Sequence, residues 1–185
     1  MKNSSLLFLF IFFNTQSIEE VSIQKTALET QTQRFVLLKN SVKHYFSDSQ
    51  KEDTFLLTLE GNSLLNSKVI FKIIDFKGAM IYMDTFSSKF LLGFTVEISD
   101  PTTKKMAFIQ KRVKEFFSQE NFLKPAINKN DTLDPDYTMI DKEIWKELQS
   151  DANKTGFYYL VGEENGRRIA YSNKLKKVLV YFSCC

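Results

Sequence analysis

A chain of 185 residues with 43% hydrophobic residues, 25% charged residues and a net charge of +3 has the make-up of one folded domain. These values exclude a disordered polypeptide, a collagen-like repeat and a multi-pass membrane protein. The surplus of 25 Lys and Arg over 22 Asp and Glu is too thin for a nucleic-acid-binding domain, and a single histidine, His44, excludes multi-histidine metal sites.

The first residues read Met1-Lys2-Asn3-Ser4-Ser5, followed by the apolar run Leu6 to Phe13. Asn14-Thr15-Gln16-Ser17 and the acidic pair Glu19-Glu20 come next. A basic start, a short apolar run and small residues two apart match a secretory signal, with cleavage expected after Ser17. The run is far shorter than the roughly 20 residues that a membrane-spanning helix needs, so no transmembrane span is expected. The protein is expected to be exported to the periplasm or cell envelope, or to be cytoplasmic if this run is not cleaved. Residues 18–185 then form a single α+β domain.

Val21, Leu28, Phe35 and Val42 recur every seven residues with Leu38 and Tyr45 between them, which predicts a helix over 18–47 with His44 exposed on it. The run Phe35-Val36-Leu37-Leu38 also fits a strand. Ser47-Asp48-Ser49-Gln50 is a turn. Phe55, Leu57 and Leu59 alternate with more polar neighbours, and Val69 to Ile74 is almost continuously apolar, so two strands follow. Asp75-Phe76-Lys77-Gly78 makes a tight turn into a third strand, Ala79 to Phe86.

Asp100-Pro101 opens a helix, with Asp as cap and Pro at the first helical position, and Met106, Ile109, Val113, Phe116 and Phe117 form its apolar stripe. Residues 126–138 read as a loop, and its carboxylates Asp131, Asp134 and Asp136 as a solvated acidic segment capping the next helix. The register lacks the Gly and Glu that a calcium-binding EF-hand loop requires. A helix bearing Ile140, Ile144, Trp145 and Leu148 follows. Three strands close the chain: Phe157 to Val161, Arg167 to Tyr171 and Lys177 to Phe182. Gly162 to Gly166 links the first two, with Glu163 and Glu164 at its exposed tip. The expected fold is α+β, an antiparallel sheet of about six strands packed against two to three helices.

No phosphate-binding glycine loop, G-x-S-x-G elbow or H-E-x-x-H pair occurs, so no catalytic residue, metal ligand or cofactor is expected. The only cysteines, Cys184 and Cys185, are adjacent and cannot staple the fold. They are candidates for redox chemistry, intermolecular bridging or lipid attachment. Lys104, Lys105, Lys111, Arg112 and Lys114 cluster on the predicted helix, and Arg167, Arg168, Lys174, Lys176 and Lys177 on the last strands. Together they are candidates for an anion-binding face.

The segments Ile81-Tyr82-Met83-Asp84-Thr85-Phe86, Phe157-Tyr158-Tyr159 and Gly162 to Tyr171, with Lys176-Lys177 and the ending Tyr181-Phe182-Ser183-Cys184-Cys185, resemble a group of small, uncharacterised exported proteins and lipoproteins of Bacteroidetes-type bacteria. The likeness extends over about two thirds of the chain. It implies an envelope location and brings no catalytic residues. The chain departs from a lipoprotein in having no Cys after its apolar run. The reading that follows is a non-enzymatic envelope module that binds a protein partner or supports a larger structure. An enzyme using Cys184 and Cys185, and an inhibitor or immunity-type protein, are the alternatives.

Overall fold

The computed structural model describes residues 35–93, 96–97, 99–162 and 164–184. The expected signal segment, residues 18–34 of the expected first helix, Glu163 and Cys185 lie outside the described residues. The strands are β1 (Val36–Tyr45), β2 (Glu52–Glu60), β3 (Lys68–Ile74), β4 (Met80–Ser87), β5 (Phe122–Leu123), β6 (Gly156–Leu160), β7 (Gly166–Ser172) and β8 (Lys177–Cys184). Two α-helices are described, α1 (Thr102–Glu115) before β5 and α2 (Lys142–Ser150) before β6. The strands form two antiparallel sheets in sequence order, β1-β2-β3-β4 and β5-β6-β7-β8. The α+β class is as expected, but the single six-stranded sheet is replaced by two of four strands.

The difference begins at β1, which is a strand where a helix was expected. Leu38, Asn40, Val42 and His44 are half-buried while Lys39, Ser41, Lys43 and Tyr45 are exposed, the period of two that defines a strand. A spacing of four, as from Leu38 to Val42, puts residues on one face in either structure, so it could not separate the two. The second change is β5, only two residues long, which pairs Phe122 with Phe157 and completes the second sheet.

The β2, β3 and β4 strands follow their alternation. Phe55, Leu57 and Leu59 point inward from β2, opposite Ile73, Phe71 and Val69 of β3. Asp75 turns the chain between β3 and β4. Its Oδ1 accepts the N–H groups of Lys77 and Ala79, and Gly78 takes a φ of 89°, which suits a residue without Cβ.

The two sheets face each other across an aromatic core. Phe157 and Tyr159 of β6 meet Phe55 and Phe71, with ring centroids 5.1–5.4 Å apart in the pairs Phe55–Phe157, Phe71–Phe157 and Phe71–Tyr159. Helix α1 contributes Ile109 and Val113, and Phe116 and Phe117 follow it into the same core. Each such side chain contributes about 1.5–3 kcal/mol when fully buried. Asn40 of β1 ties the helix down by donating to the carbonyls of Val113 and Lys114 in its last turn, where the Val113 carbonyl also accepts from the Phe116 N–H at 3.4 Å. The helix starts without the expected cap. Asp100 instead accepts from Lys104 Nζ at 2.8 Å and from the Glu97 N–H at 2.9 Å.

The second sheet is covered on its other face as well. Ala170, Leu179 and Tyr181 alternate away from the aromatic core and pack with Ile144, Trp145 and Leu148 of α2 and with Ala126 and Ile127. This helix is capped by Asp141, whose Oδ1 accepts from the Ile144 N–H at 2.9 Å. The carboxylates of Asp131 and Asp134 serve their own loop, accepting from Asn128 and Asp136, so the acidic segment is not the cap. The Tyr181 hydroxyl donates to the Ala126 carbonyl directly over Gly156. A Cβ at Gly156 would lie 3.0 Å from that hydroxyl and 3.1 Å from Ala126 Cα. Gly156→Val should therefore destabilise the chain by about 1–3 kcal/mol through overpacking, read as a lower urea midpoint with unchanged slope.

Candidate functional site

Two arrangements of polar side chains stand out, and each is assembled from segments far apart in sequence. The first joins the sheets. Tyr82 and Asp84 lie two apart on β4, hence on one face, and meet Tyr159 of β6 and Arg167 of β7. The Tyr159 hydroxyl donates to Asp84 Oδ2 at 2.7 Å, and Arg167 Nη1 donates to the same oxygen at 2.6 Å. The two tyrosine hydroxyls are 2.6 Å apart. A phenol carries one hydrogen and that of Tyr159 is committed to Asp84, so Tyr82 must donate to Tyr159.

Electrostatics agree with a structural clasp. Burial pushes both phenols up, and the nearby Asp84 carboxylate adds to the shift, so both are neutral at physiological pH. Burial alone would lower the Arg167 guanidinium, but the Asp84 charge and the hydrogen bonds outweigh it and raise it. The clasp carries one proton-donating chain that ends on a paired carboxylate. It has no free base and no exposed nucleophile.

The second arrangement is a cleft of about 660 Å³, within the size range of small-ligand sites. Its walls are residues 45–50 between β1 and β2, Lys124 after β5, Asp151 and residues 153–155 between α2 and β6, and Asn173 in the β7–β8 turn. Two carboxylates buttress these walls. Asp53 is fully buried behind the β1–β2 turn. It accepts from the Ser47 N–H at 2.6 Å, the Ser47 hydroxyl at 3.0 Å and the Phe76 N–H at 3.1 Å. Glu147 of α2 holds the opposite wall. It accepts from the Ser172 hydroxyl and the Asn173 N–H, both at 2.6 Å, and from the Lys174 N–H at 3.2 Å. Lys154 is 7% exposed, and Asp151 Oδ2 lies 3.7 Å from its ammonium, beyond hydrogen-bond length.

The residues singled out in the sequence are dispersed. His44 is on β1 rather than on an exposed helix, and its ring stacks on Phe122 with centroids 3.9 Å apart. Lys104 pairs with Asp100, Lys111 reaches Glu115 at 4.0 Å, and Arg112 lines a cavity of about 110 Å³ with Glu115 and Tyr158. Lys105 and Lys114 also lie on α1. Arg167 and Arg168 are consecutive on β7 and so point to opposite faces. Arg167 turns inward to Asp84, whereas Arg168 lies over the Phe182 ring at 4.7 Å. Lys174 pairs with Glu143, and Lys176 and Lys177 are exposed. Cys184 is a free, half-exposed thiol on β8 opposite Gly166. Glu164 is exposed at its hairpin tip.

Neither arrangement had been singled out. The alternation of Tyr82 with Asp84 was a usable signal for the clasp, because it places a carboxylate on the inward face of a strand. The cleft had only turn residues to announce it, and turns do not say which other turns they meet. Among the described residues, no three His, Cys, Asp or Glu side chains are grouped as a metal ion would need, and no helix is long and apolar enough to cross a membrane. Comparison with protein-family models, characterised proteins and solved structures finds no match to this chain.

Two measurements check these assignments. Tyr159→Phe should cost about 1–3 kcal/mol, and adding Tyr82→Phe should cost less than the sum of the single changes. A double-mutant cycle in urea would measure that coupling, and strict additivity would break the proposed donor order.

The second concerns pH. Burial, helped by the Asp75 charge, raises Asp53 above 3.8, despite hydrogen bonds that favour its ionised form. The folded chain therefore keeps this proton longer, and the group's contribution is greatest at low pH and falls as pH rises through the folded value. Burial acts against ionised Glu147 too, but its three donors outweigh that and lower it below 4.5. Its contribution is present at neutral pH and lost as pH falls through the folded value. From about pH 3 to pH 7, the stability lost in Glu147→Gln should grow, while that lost in Asp53→Asn should shrink.

Proposed function

We propose that this chain is a non-enzymatic binding module of the bacterial envelope, exported by its first 17 residues and engaging its partner through the polar cleft. The cleft is the single observation that carries the binding half of this reading. Its walls come from four connections, and its buttressing carboxylates, Asp53 and Glu147, each accept from three donors. Polar groups held in place before a ligand arrives reduce the ordering cost of binding. The export half rests on the basic start, the short apolar run and the small residues that follow it.

A non-enzymatic role accords with the way the buried polar groups are used. Asp53 clamps a turn, Glu147 another, and Tyr82, Tyr159, Asp84 and Arg167 join two sheets. These groups spend their hydrogen bonds on joining segments of the fold.

Both halves can be tested in the native host. The intact mass of the recovered protein should lack the first 17 residues, and an uncut chain would overturn export. A photoreactive residue at exposed Gln50, on the cleft wall, should crosslink a defined envelope component in living cells. The same residue at exposed Lys129, outside the cleft, should not. Equal labelling from both positions would overturn binding through the cleft.

A further inference from the structure

The chemistry of the cleft narrows what it holds. Its charges cancel, Lys124 and Lys154 against Asp48 and Asp151. Lys154 is compensated from within, with Asp151 beside it and the Glu147 carboxylate close enough to feel its charge. A site for a phosphate or an acidic peptide would present an excess of cations, and a site for an apolar ligand would have apolar walls.

What the cleft presents is a set of side-chain amides. Gln50, Asn153 and Asn173 have their backbone N–H groups bound, to Asp48, Asp151 and Glu147 respectively. Among the described residues, their side-chain amides make no hydrogen bond within the protein. An amide offers a donor and an acceptor side by side, and a carboxylate offers acceptors. That pattern complements neighbouring hydroxyl groups, each of which both donates and accepts. Asp48 and Asp151 each use Oδ1 on a backbone N–H of their own turn, which leaves Oδ2 of Asp48 for a ligand hydroxyl.

One aromatic residue completes the set. Tyr45 ends β1 on the cleft wall and is 48% exposed, so its ring is open to a ligand. Pairing with Glu52 fixes its backbone and sets the ring on the cleft wall, where the C–H face of a sugar can pack against it. A tyrosine ring with two rotatable bonds and short amides lose little conformational entropy on binding.

From charge balance, unbound amides and the exposed ring, we infer that the cleft is a binding site for a short neutral oligosaccharide. This inference rests on the binding-module reading and specifies its ligand. The volume of about 660 Å³ gives room for such a chain, and the Asp53 and Glu147 clamps hold the turns that carry Ser47 and Asn173.

The test is a titration of the isotopically labelled chain, as its host makes it, followed by amide NMR. The probes are maltotetraose, cellotetraose and tri-N-acetylchitotriose, with inorganic phosphate and triglutamate as charged comparators. At least one sugar should shift the resonances of residues 46–50 and 153–155. Tyr45→Ala and Asn153→Ala should each weaken that binding about tenfold with the thermal midpoint unchanged. Shifts at these residues from phosphate or triglutamate but from no sugar would overturn the saccharide assignment and leave the binding reading standing. Sugar binding unaffected by both substitutions would place the site elsewhere and also overturn it. Silence of the cleft toward all five probes would end the saccharide assignment, and the crosslinking result at Gln50 would then decide separately whether the cleft binds anything.

Discussion

Phe71 is where the two sheets and the first helix meet. Its ring contacts Phe55 on the neighbouring strand, Tyr82 across the hairpin, Phe116 and Phe117 beyond α1, and Phe157 and Tyr159 on the opposite sheet. Phenylalanine has no polar tip, so a chain with 18 of them must enclose most of them in a dry interior. Two antiparallel sheets set face to face provide that interior, and α1 adds Ile109 and Val113 to it. Everything else follows from this enclosure. The tyrosines among the phenylalanines must carry their hydroxyls to a partner, and the connections between strands are left to form the surface at the ends of the sheets.

The clasp of Tyr82, Tyr159, Asp84 and Arg167 answers the first requirement. Tyr159 has its ring in the core and its hydroxyl on Asp84, so one side chain serves both environments. Burying a charge is costly unless it is paired, and here the carboxylate and the guanidinium stay partly exposed, at 16% and 34%. The clasp is thus better understood as fixing how the sheets are aligned than as adding much net stability. A slip of one residue in β4 would turn Tyr82 and Asp84 away from their partners together.

Legibility in the sequence tracked the range over which each signal acts. The hairpin at Asp75–Gly78 was legible because the turn is made by its own residues. The second helix was legible from Ile144, Trp145 and Leu148, whose spacing admits no strand. The first strand was not, because Leu38 and Val42 share a face in both structures and the heptad spacing outweighed the apolar run Phe35 to Leu38. The two-residue β5 lies below any periodic signal and exists because Phe157 provides a neighbour. The clasp joins residues more than 70 positions apart, and no local pattern encodes such a meeting. Arg167 and Arg168 show the converse: adjacency suggested a shared basic patch, and strand geometry sent them to opposite faces.

The cleft shows how the same fold can supply a binding surface at little cost to the core. Its walls are turns, and turns between short antiparallel strands are free to vary in side chain so long as their backbones are held. Asp53 and Glu147 do that holding from behind, Asp53 on the half-buried N–H groups of Ser47 and Phe76 and Glu147 on the β7–β8 turn. Among the described residues, the side-chain amides of Gln50, Asn153 and Asn173 on the front carry no hydrogen bond of the fold, whereas the Ser47 hydroxyl belongs to the Asp53 clamp. A buried carboxylate on the inner side and unbound amides on the outer side form a division of labour in which rigidity and recognition use different residues. Substitution of the front amides can then alter what is bound without loosening the walls, whereas loss of a carboxylate behind them would loosen the turn that it clamps.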